Sequence, residues 1–469
     1  PTPTPTLTPT PTLEPTPTLT PTPTPIPTLS PERVGGVEGI PDPKETNPEL
    51  FNLTRSDAPI PQFVRAMETG GIEVDPQEVV DSLQYQPTTG VDGKQYIIGT
   101  YHLDPNPNQS GETLEGPIPL VIWDEEEGWR EIGLKKLCNN CGTTVDFSDP
   151  GYRDPNYKKT VLRDFNKINI SFMEMWWHFG NPPYWTNFAN KNGVTFEIGN
   201  GGLFFSLDST PPSGAKEFIR KKIDKSLEVI KRNNSVNPVH FNIQLAGEPY
   251  FYYNNQVIWH GQYGKYMPYQ ELGEGWITLA EIELLTQLAE KGFEREQFDI
   301  IGLNLPGIEY PGPFTNYTIN KVIQIKQTVF NQLPESIKDK FNITNWQDVP
   351  FDIGLEFHLG KTLGDRNVTV PLPLRIDQVN QNCLNIEART GSKLHITELD
   401  GLGDPVQITE AMAQLIRSNN FVSITFFEPF KPPEGPDDPW QNVLYSYNQQ
   451  PTQWYYLLLQ QLLTLVSGN

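Results

Sequence analysis

Two glutamates stand out because each closes an apolar, strand-like run. HFNIQLAGEP ends in Glu248, and KLHITELDG carries Glu398. Two carboxyls held on opposite sides of a bond can divide the work of breaking it. One protonates the leaving oxygen, and the other attacks the carbon or activates water to do so; glycosidic bonds are cleaved this way. A third stretch, GLEFHLG, supplies Glu356 and His358. A histidine beside a carboxylate can hydrogen-bond it and keep it ionised. Asp400 lies two residues past Glu398, so strand alternation groups Leu394, Ile396, Glu398 and Asp400 on one face. The expectation is that the apolar pair fills an interior and Glu398 caps it. The plainer alternative is that both glutamates are solvated strand ends.

Residues placed this way need a scaffold that brings several strand ends together. From about residue 131 onward, strand-like and helix-like segments alternate. TVDFSD, INISFMEMWW, VTFEIGNGGLFF, VHFNIQLAGEP, FDIIGLNLP, VPFDIGLEFHLG, KLHITELDG and FVSITFFEPF read as strands. Between them lie helical patterns such as SGAKEFIRKKIDKSLEVIKRN, with apolar residues at helical spacing. Eight strands with intervening helices match a (β/α)8 barrel, whose active residues gather at the C-terminal strand ends. An open doubly wound sheet would call for a Gly-rich phosphate loop after its first strand, and the sequence has none.

Ahead of the barrel the chain changes character twice. Residues 1–46 are a low-complexity arm whose first part repeats Pro-Thr. Alternating prolines remove backbone donors and fix φ, so polyproline II is expected, about 3.1 Å per residue. The tract reads as a stiff linker or as an O-glycosylated stalk, and both place it outside the cytoplasm. Residues 47–130 read as a small accessory α+β domain, with short helices and strands at KQYIIGTYHL and IPLVIWDEEEGWREI. Residues 131–469 are the barrel.

Bulk composition narrows the partners. The 469 residues carry 35 Lys+Arg and 57 Asp+Glu, a formal charge of -22. So acidic a surface repels phosphates and argues against nucleic acid, while a neutral polysaccharide is tolerated. Aromatics at 11% suit sugar-face stacking as well as core filling. No apolar run reaches the length of a transmembrane helix. Cys138 and Cys141 form CNNC, and Cys383 stands apart. With one C-x-x-C and no second ligand pair, no metal and no cofactor are expected. In an exported protein the pair would form a local disulfide. A chain that starts at Pro1 within a repeat reads as processed, and seven N-x-[ST] sequences fit export.

With these residues in hand, the barrel region resembles glycoside hydrolase family 10, the endo-β-1,4-xylanases. The resemblance covers about residues 131–465. It rests on LHITELDG, close to the family's nucleophile strand, and on GLEFHLG, which resembles G-x-Q-x-H-L. SFMEMWW resembles the N-E-M-K-W segment, ITFFEPF resembles I-T-F-W-G, and LYSYNQQPTQWYYLLLQQL resembles the final turn and helix. The resemblance implies Glu398 as nucleophile, Glu248 as acid/base, and His358 with Asp400 as support for the nucleophile. It implies substrate contacts from Glu356, Trp440, Trp177 and Trp176. It also implies a retaining reaction, with carboxyls about 5–5.5 Å apart.

The departures fall on sugar recognition. Gly247 stands where the family has Asn before the acid/base, Glu356 where it has Gln, and Phe427 where it has Trp. Met173 and Trp176 replace the sugar-binding Asn and Lys. An insertion after Glu248 carries six tyrosines and reads as a stacking lid or as a loop packed on the barrel. The expectation is therefore a secreted or cell-surface retaining endo-hydrolase of xylan or a related β-1,4-glycan. The runner-up is a weak or inactive barrel that binds glycan or builds a glycosylated surface filament. Such a protein would self-assemble, or attach to the cell envelope, through its arm or small domain.

Overall fold

The computed structural model describes residues 40–103, 116–145, 155–171, 184–200, 203–204, 214–233, 238–253, 256–259, 272–360, 370–418, 420–427, 429–430, 444–445 and 450–467. The N-terminal part forms short helices, Pro59–Thr69 and Pro76–Ser82 among them, and a four-stranded antiparallel sheet. Its strands are β1 (Gln84–Thr89), β2 (Gln95–Leu103), β3 (Gly116–Asp124) and β4 (Gly128–Glu131), in that spatial order. β1 escapes a sequence reading because QYQPTT is polar and holds a proline.

The rest is a closed parallel barrel. It contains β5 (Cys141–Val145), β6 (Lys167–Ser171), β7 (Thr195–Asn200) and β8 (Phe241–Gly247). A hairpin of β9 (Tyr250–Tyr253) and β10 (Gln256–Trp259) interrupts the run. The barrel resumes with β11 (Phe298–Pro306), β12 (Asp352–Gly360), β13 (Leu394–Leu402) and β14 (Ser423–Phe426), which closes on β5. The eight strands expected from the sequence are the eight observed. They form because runs such as FDIIGLNLP are buried on both faces, as parallel strands under helices must be.

Helices cover the outside by their apolar stripes. In Ala215–Asn233 the buried Ile219, Ile223, Leu227 and Ile230 recur every three or four residues. Each such side chain contributes about 1.5–3 kcal/mol when taken out of water. The helix Ile376–Thr390 ends at Gly391, whose φ is 67°. A Cβ there would lie 2.9 Å from the Gln347 carbonyl oxygen, so glycine lets the chain turn tightly into β13. The described part of the tyrosine-rich insertion packs on the barrel: Tyr250 and Trp259 are buried, and the Tyr250 ring meets Phe314 and Tyr317.

The barrel interior is polar as well as apolar. Glu197 accepts from Lys167 and from the side-chain amides of Asn169 and Asn242. Lys167 Nζ also donates to Ser423 Oγ at 2.8 Å, reaching over Gly142 of β5. Side chains two strands apart meet in this way only on the concave side. His395 bonds the same Ser423 Oγ, and Thr397 meets Asn304 above Gly354, so His395 and Thr397 face inward. This corrects the expected alternation: Leu394 and Ile396 belong to the outer face. β13 carries a bulge at Thr397, with Ile396 opposite Leu355 and Glu398 opposite Glu356. The extra residue resets the phase and returns Glu398 to the interior.

The N-terminal sheet is joined to the barrel through the helix Gln453–Ser467. Phe63 packs against Tyr456 with ring centroids 5.1 Å apart. The buried Tyr455 hydroxyl donates to Asp164 Oδ1 at 2.8 Å, and Arg163 pairs with both Asp164 and Glu131. Cys138 and Cys141 are joined by a disulfide, Cα atoms 5.6 Å apart, at the entry to β5.

Candidate active site

Two neighbouring strands and one strand end deliver the carboxyls to the C-terminal mouth of the barrel. In the β12–β13 ladder Glu356 lies opposite Glu398, and His358 opposite Asp400. His358 sits among all three acids. Its Nδ1 is 2.8 Å from Asp400 Oδ1, and its Nε2 is 3.6 Å from Glu356 Oε2 and 3.9 Å from Glu398 Oε2.

Glu248 follows β8 directly, with Gly247 in register beside Asn304. Its φ of 44° is left-handed, a conformation that costs a non-glycine residue about 1–3 kcal/mol. The backbone N–H of Glu248 donates to the Asn304 carbonyl at 2.7 Å and holds the turn. Strain maintained by a specific bond marks a side chain that has been aimed. Its charge reaches Glu398: Glu248 is among the groups that raise the pKa of Glu398.

The charges at the mouth do not balance. Burial is the largest cause lifting Glu398 well above an ordinary glutamate. Glu356, Glu248 and Asp400 push the same way, and only His358 opposes them. For His358, burial works against the charge, but Asp400 and Glu356 outweigh it and hold the imidazole well above its usual range. A unit-charge pair about 4 Å apart interacts by about 4 kcal/mol at an effective dielectric near 20. One imidazolium can therefore offset one carboxylate, not the group around it. The mouth stores a proton that Glu398 and its neighbours hold readily.

The same atoms form a donor set: Glu356, His358 and Glu398 each offer a ligand atom within 4.8 Å of the others.

Support comes from residues that a sequence reading does not single out. Asn304 donates to Glu356 Oε1 at 2.7 Å and accepts from the Thr397 hydroxyl, whose Oγ1 also lies 3.1 Å from the Leu355 carbonyl. Glu356 is 2% exposed and lies beside Glu398 and His358. Glu309, just past β11, is buried and accepts from the Gly307 N–H at 3.0 Å. Burial pushes its carboxyl up to about 7, against the pull of His358. The available signal was a polar residue inside the apolar run FDIIGLNLP, which a buried strand tolerates only with a partner. Phe427 is half-buried, its N–H bonded to the Leu399 carbonyl at 3.1 Å. Trp440, Trp177, Trp176 and Met173 lie outside the described residues.

Solved structures share this architecture. The chain resembles glycoside hydrolase family 10 xylanases in fold. Native xylanase 10B from Thermotoga maritima aligns with a TM-score of 0.50 at 16% identity, over 72% of this chain and 100% of that one. The CBM22-GH10 endo-1,4-β-D-xylanase 10B of Clostridium thermocellum, complexed with xylohexaose, aligns over 81% of this chain and 93% of that one, with a TM-score of 0.46 at 12% identity. A β-mannanase from Thermomonospora fusca aligns over 72% of this chain and 91% of that one, with a TM-score of 0.39 at 12% identity. No protein-family model matches the sequence, and no curated protein matches it.

Proposed function

We propose that this chain is a retaining glycoside hydrolase acting on xylan or a related β-1,4-linked polysaccharide. Glu398 is the nucleophile and Glu248 the acid/base. One observation carries the reading: Glu248, at the end of β8, is near enough to Glu398 on β13 for its charge to raise Glu398, and His358, bonded to Asp400, lies beside Glu398. A pair of carboxyls in unlike environments is what an acid and a nucleophile require. Glu248 protonates the leaving oxygen while Glu398 attacks the anomeric carbon; Glu248 then takes a proton from the water that releases the sugar. The nearby charge of His358 favours the ionised form of Glu398.

The xylanase fold and the acidic surface support a neutral polysaccharide as substrate. The Cys138–Cys141 disulfide supports an oxidising, extracellular setting, with the Pro-Thr arm as a glycosylated spacer. A second reading, a barrel that holds glycan without cutting it, draws on one feature: the unbalanced mouth favours protonated Glu398, which is no nucleophile.

The deciding experiment is reducing-sugar release from a panel of β-1,4-glycans, xylan and mannan included, by wild type and Glu398→Gln. Release by wild type alone upholds the proposal. Binding without release, unchanged in the variant, supports the second reading and sinks the first.

A further inference from the structure

The opposite end of the barrel holds a second convergence of ligand atoms. Asp299, Asp352 and His395 lie near the N-terminal starts of β11, β12 and β13, which are neighbours in the barrel. Each offers one ligand atom within 4.8 Å of the other two, and all three are buried. Their orientations are fixed from behind. The Lys393 N–H donates to Asp352 Oδ1 at 2.9 Å, which leaves Asp352 Oδ2 buried and unpartnered. His395 Nδ1 bonds Ser423 Oγ at 2.9 Å, which leaves Nε2 buried and unpartnered.

These two unpartnered atoms face each other at 3.5 Å. That is too long for a good N–H···O bond. It is close to the separation of about 3.4 Å expected for two ligands on one tetrahedral ion, each roughly 2.0–2.2 Å from it. A metal-bound imidazole normally anchors its other nitrogen on a neighbouring polar group, as His395 does on Ser423. Asp299 supplies the second carboxylate and lines an open cavity of about 300 Å³ that gives access from solvent.

Competing cations are present and identifiable. Lys393 Nζ lies 2.9 Å, and Arg295 3.6 Å, from Asp299 Oδ1, while His240 Nε2 lies 3.1 Å from Oδ2. Lys326 is a further cation that interacts with Asp352, and its Nζ lies 3.4 Å from Ser392 Oγ. None of these cations reaches Asp352 Oδ2 or His395 Nε2 within hydrogen-bond range.

We propose that Asp299, Asp352 and His395 form a binding site for a divalent cation of the zinc class at the N-terminal end of the barrel. One imidazole and two carboxylates favour zinc, cobalt or manganese over calcium or magnesium, which prefer all-oxygen shells. The ion staples the three strands whose far ends carry Asn304, Glu356 with His358, and Glu398 with Asp400. The site does not depend on the proposed catalytic function.

The test uses the full chain, stripped with a chelator and titrated with ZnCl2 by calorimetry and thermal unfolding. One Zn2+ per chain and a raised unfolding midpoint are expected. Asp352→Asn and His395→Gln should abolish both effects, and Ser423→Ala should weaken binding roughly 10–100-fold. His358→Gln and Glu398→Gln should bind as wild type does, which separates this site from the carboxylates of the mouth. Wild type loaded with Co2+ should show four-coordinate visible absorption, a reading that needs no variant to fold. No tight binding in wild type overturns the proposal and leaves a bare His395–Asp352 ion pair. Binding lost in His358→Gln but kept in Asp352→Asn overturns it too.

Discussion

The Lys167–Glu197 cluster near the base of the barrel and the carboxyls of its mouth treat buried charge in opposite ways. Near the base, Lys167 meets Glu197, and three further polar side chains complete their bonds. Asp299 there is held well below the usual carboxylate range; burial opposes this, but His240 and Lys393 prevail. At the mouth, Glu398, Glu356 and Asp400 share one imidazole, Glu248 adds its charge, and Glu398 is lifted instead. Matched charge holds a fold together. Unmatched charge raises the folded state's energy and survives where it serves chemistry.

That contrast can be broken in order of effect. Glu398→Gln should cut glycan hydrolysis at least about a thousandfold, as loss of a nucleophile does. The same variant should be more stable than wild type near pH 7. A carboxyl whose folded pKa is raised makes stability fall as pH rises from its unfolded value toward its folded one. The amide escapes that loss, so a lowered unfolding midpoint would contradict the account. At the base the signs reverse. Lys167→Ala strands Glu197 in a buried site and should cost about 3–5 kcal/mol of stability in denaturant titrations. Its folded fraction should hydrolyse glycan as before.

Smaller changes sharpen the comparison. Glu356→Gln removes a charge that raises Glu398, so Glu398 should ionise at lower pH. The acid limb of the pH–activity profile should then move to lower pH; movement to higher pH would show that Glu356 acts mainly through His358. The double change Cys138→Ser with Cys141→Ser opens a short loop at the base. It should cost about 2 kcal/mol of stability by chain entropy and leave the pH profile unmoved.

The barrel was legible because eight buried strands leave eight apolar runs, several closed by a charged residue. The mouth was legible for the same reason: Glu248 and Glu398 interrupt hydrophobic sequence where the chain leaves the sheet. The bulge at Thr397 was not, since an extra residue in a strand carries no composition of its own. It shifts the phase of β13, so simple alternation put Leu394 and Ile396 on the wrong face. Asn304 and Glu309 were hidden because their partners are more than forty residues away or lie in a loop backbone. The cluster at Asp299, Asp352 and His395 has no local spacing at all; only closure of the barrel brings it together.

The clasp between Tyr455 and the segment behind β4 also sets an order of events in synthesis. Its two ends, Tyr455 and Ile132, whose carbonyl lies 3.2 Å from the Tyr455 hydroxyl, are 323 residues apart in the chain. At about 5–20 residues per second, the ribosome needs on the order of tens of seconds to deliver the second after the first. Through that interval the antiparallel sheet waits without the helix that covers it, its apolar face open to other nascent chains.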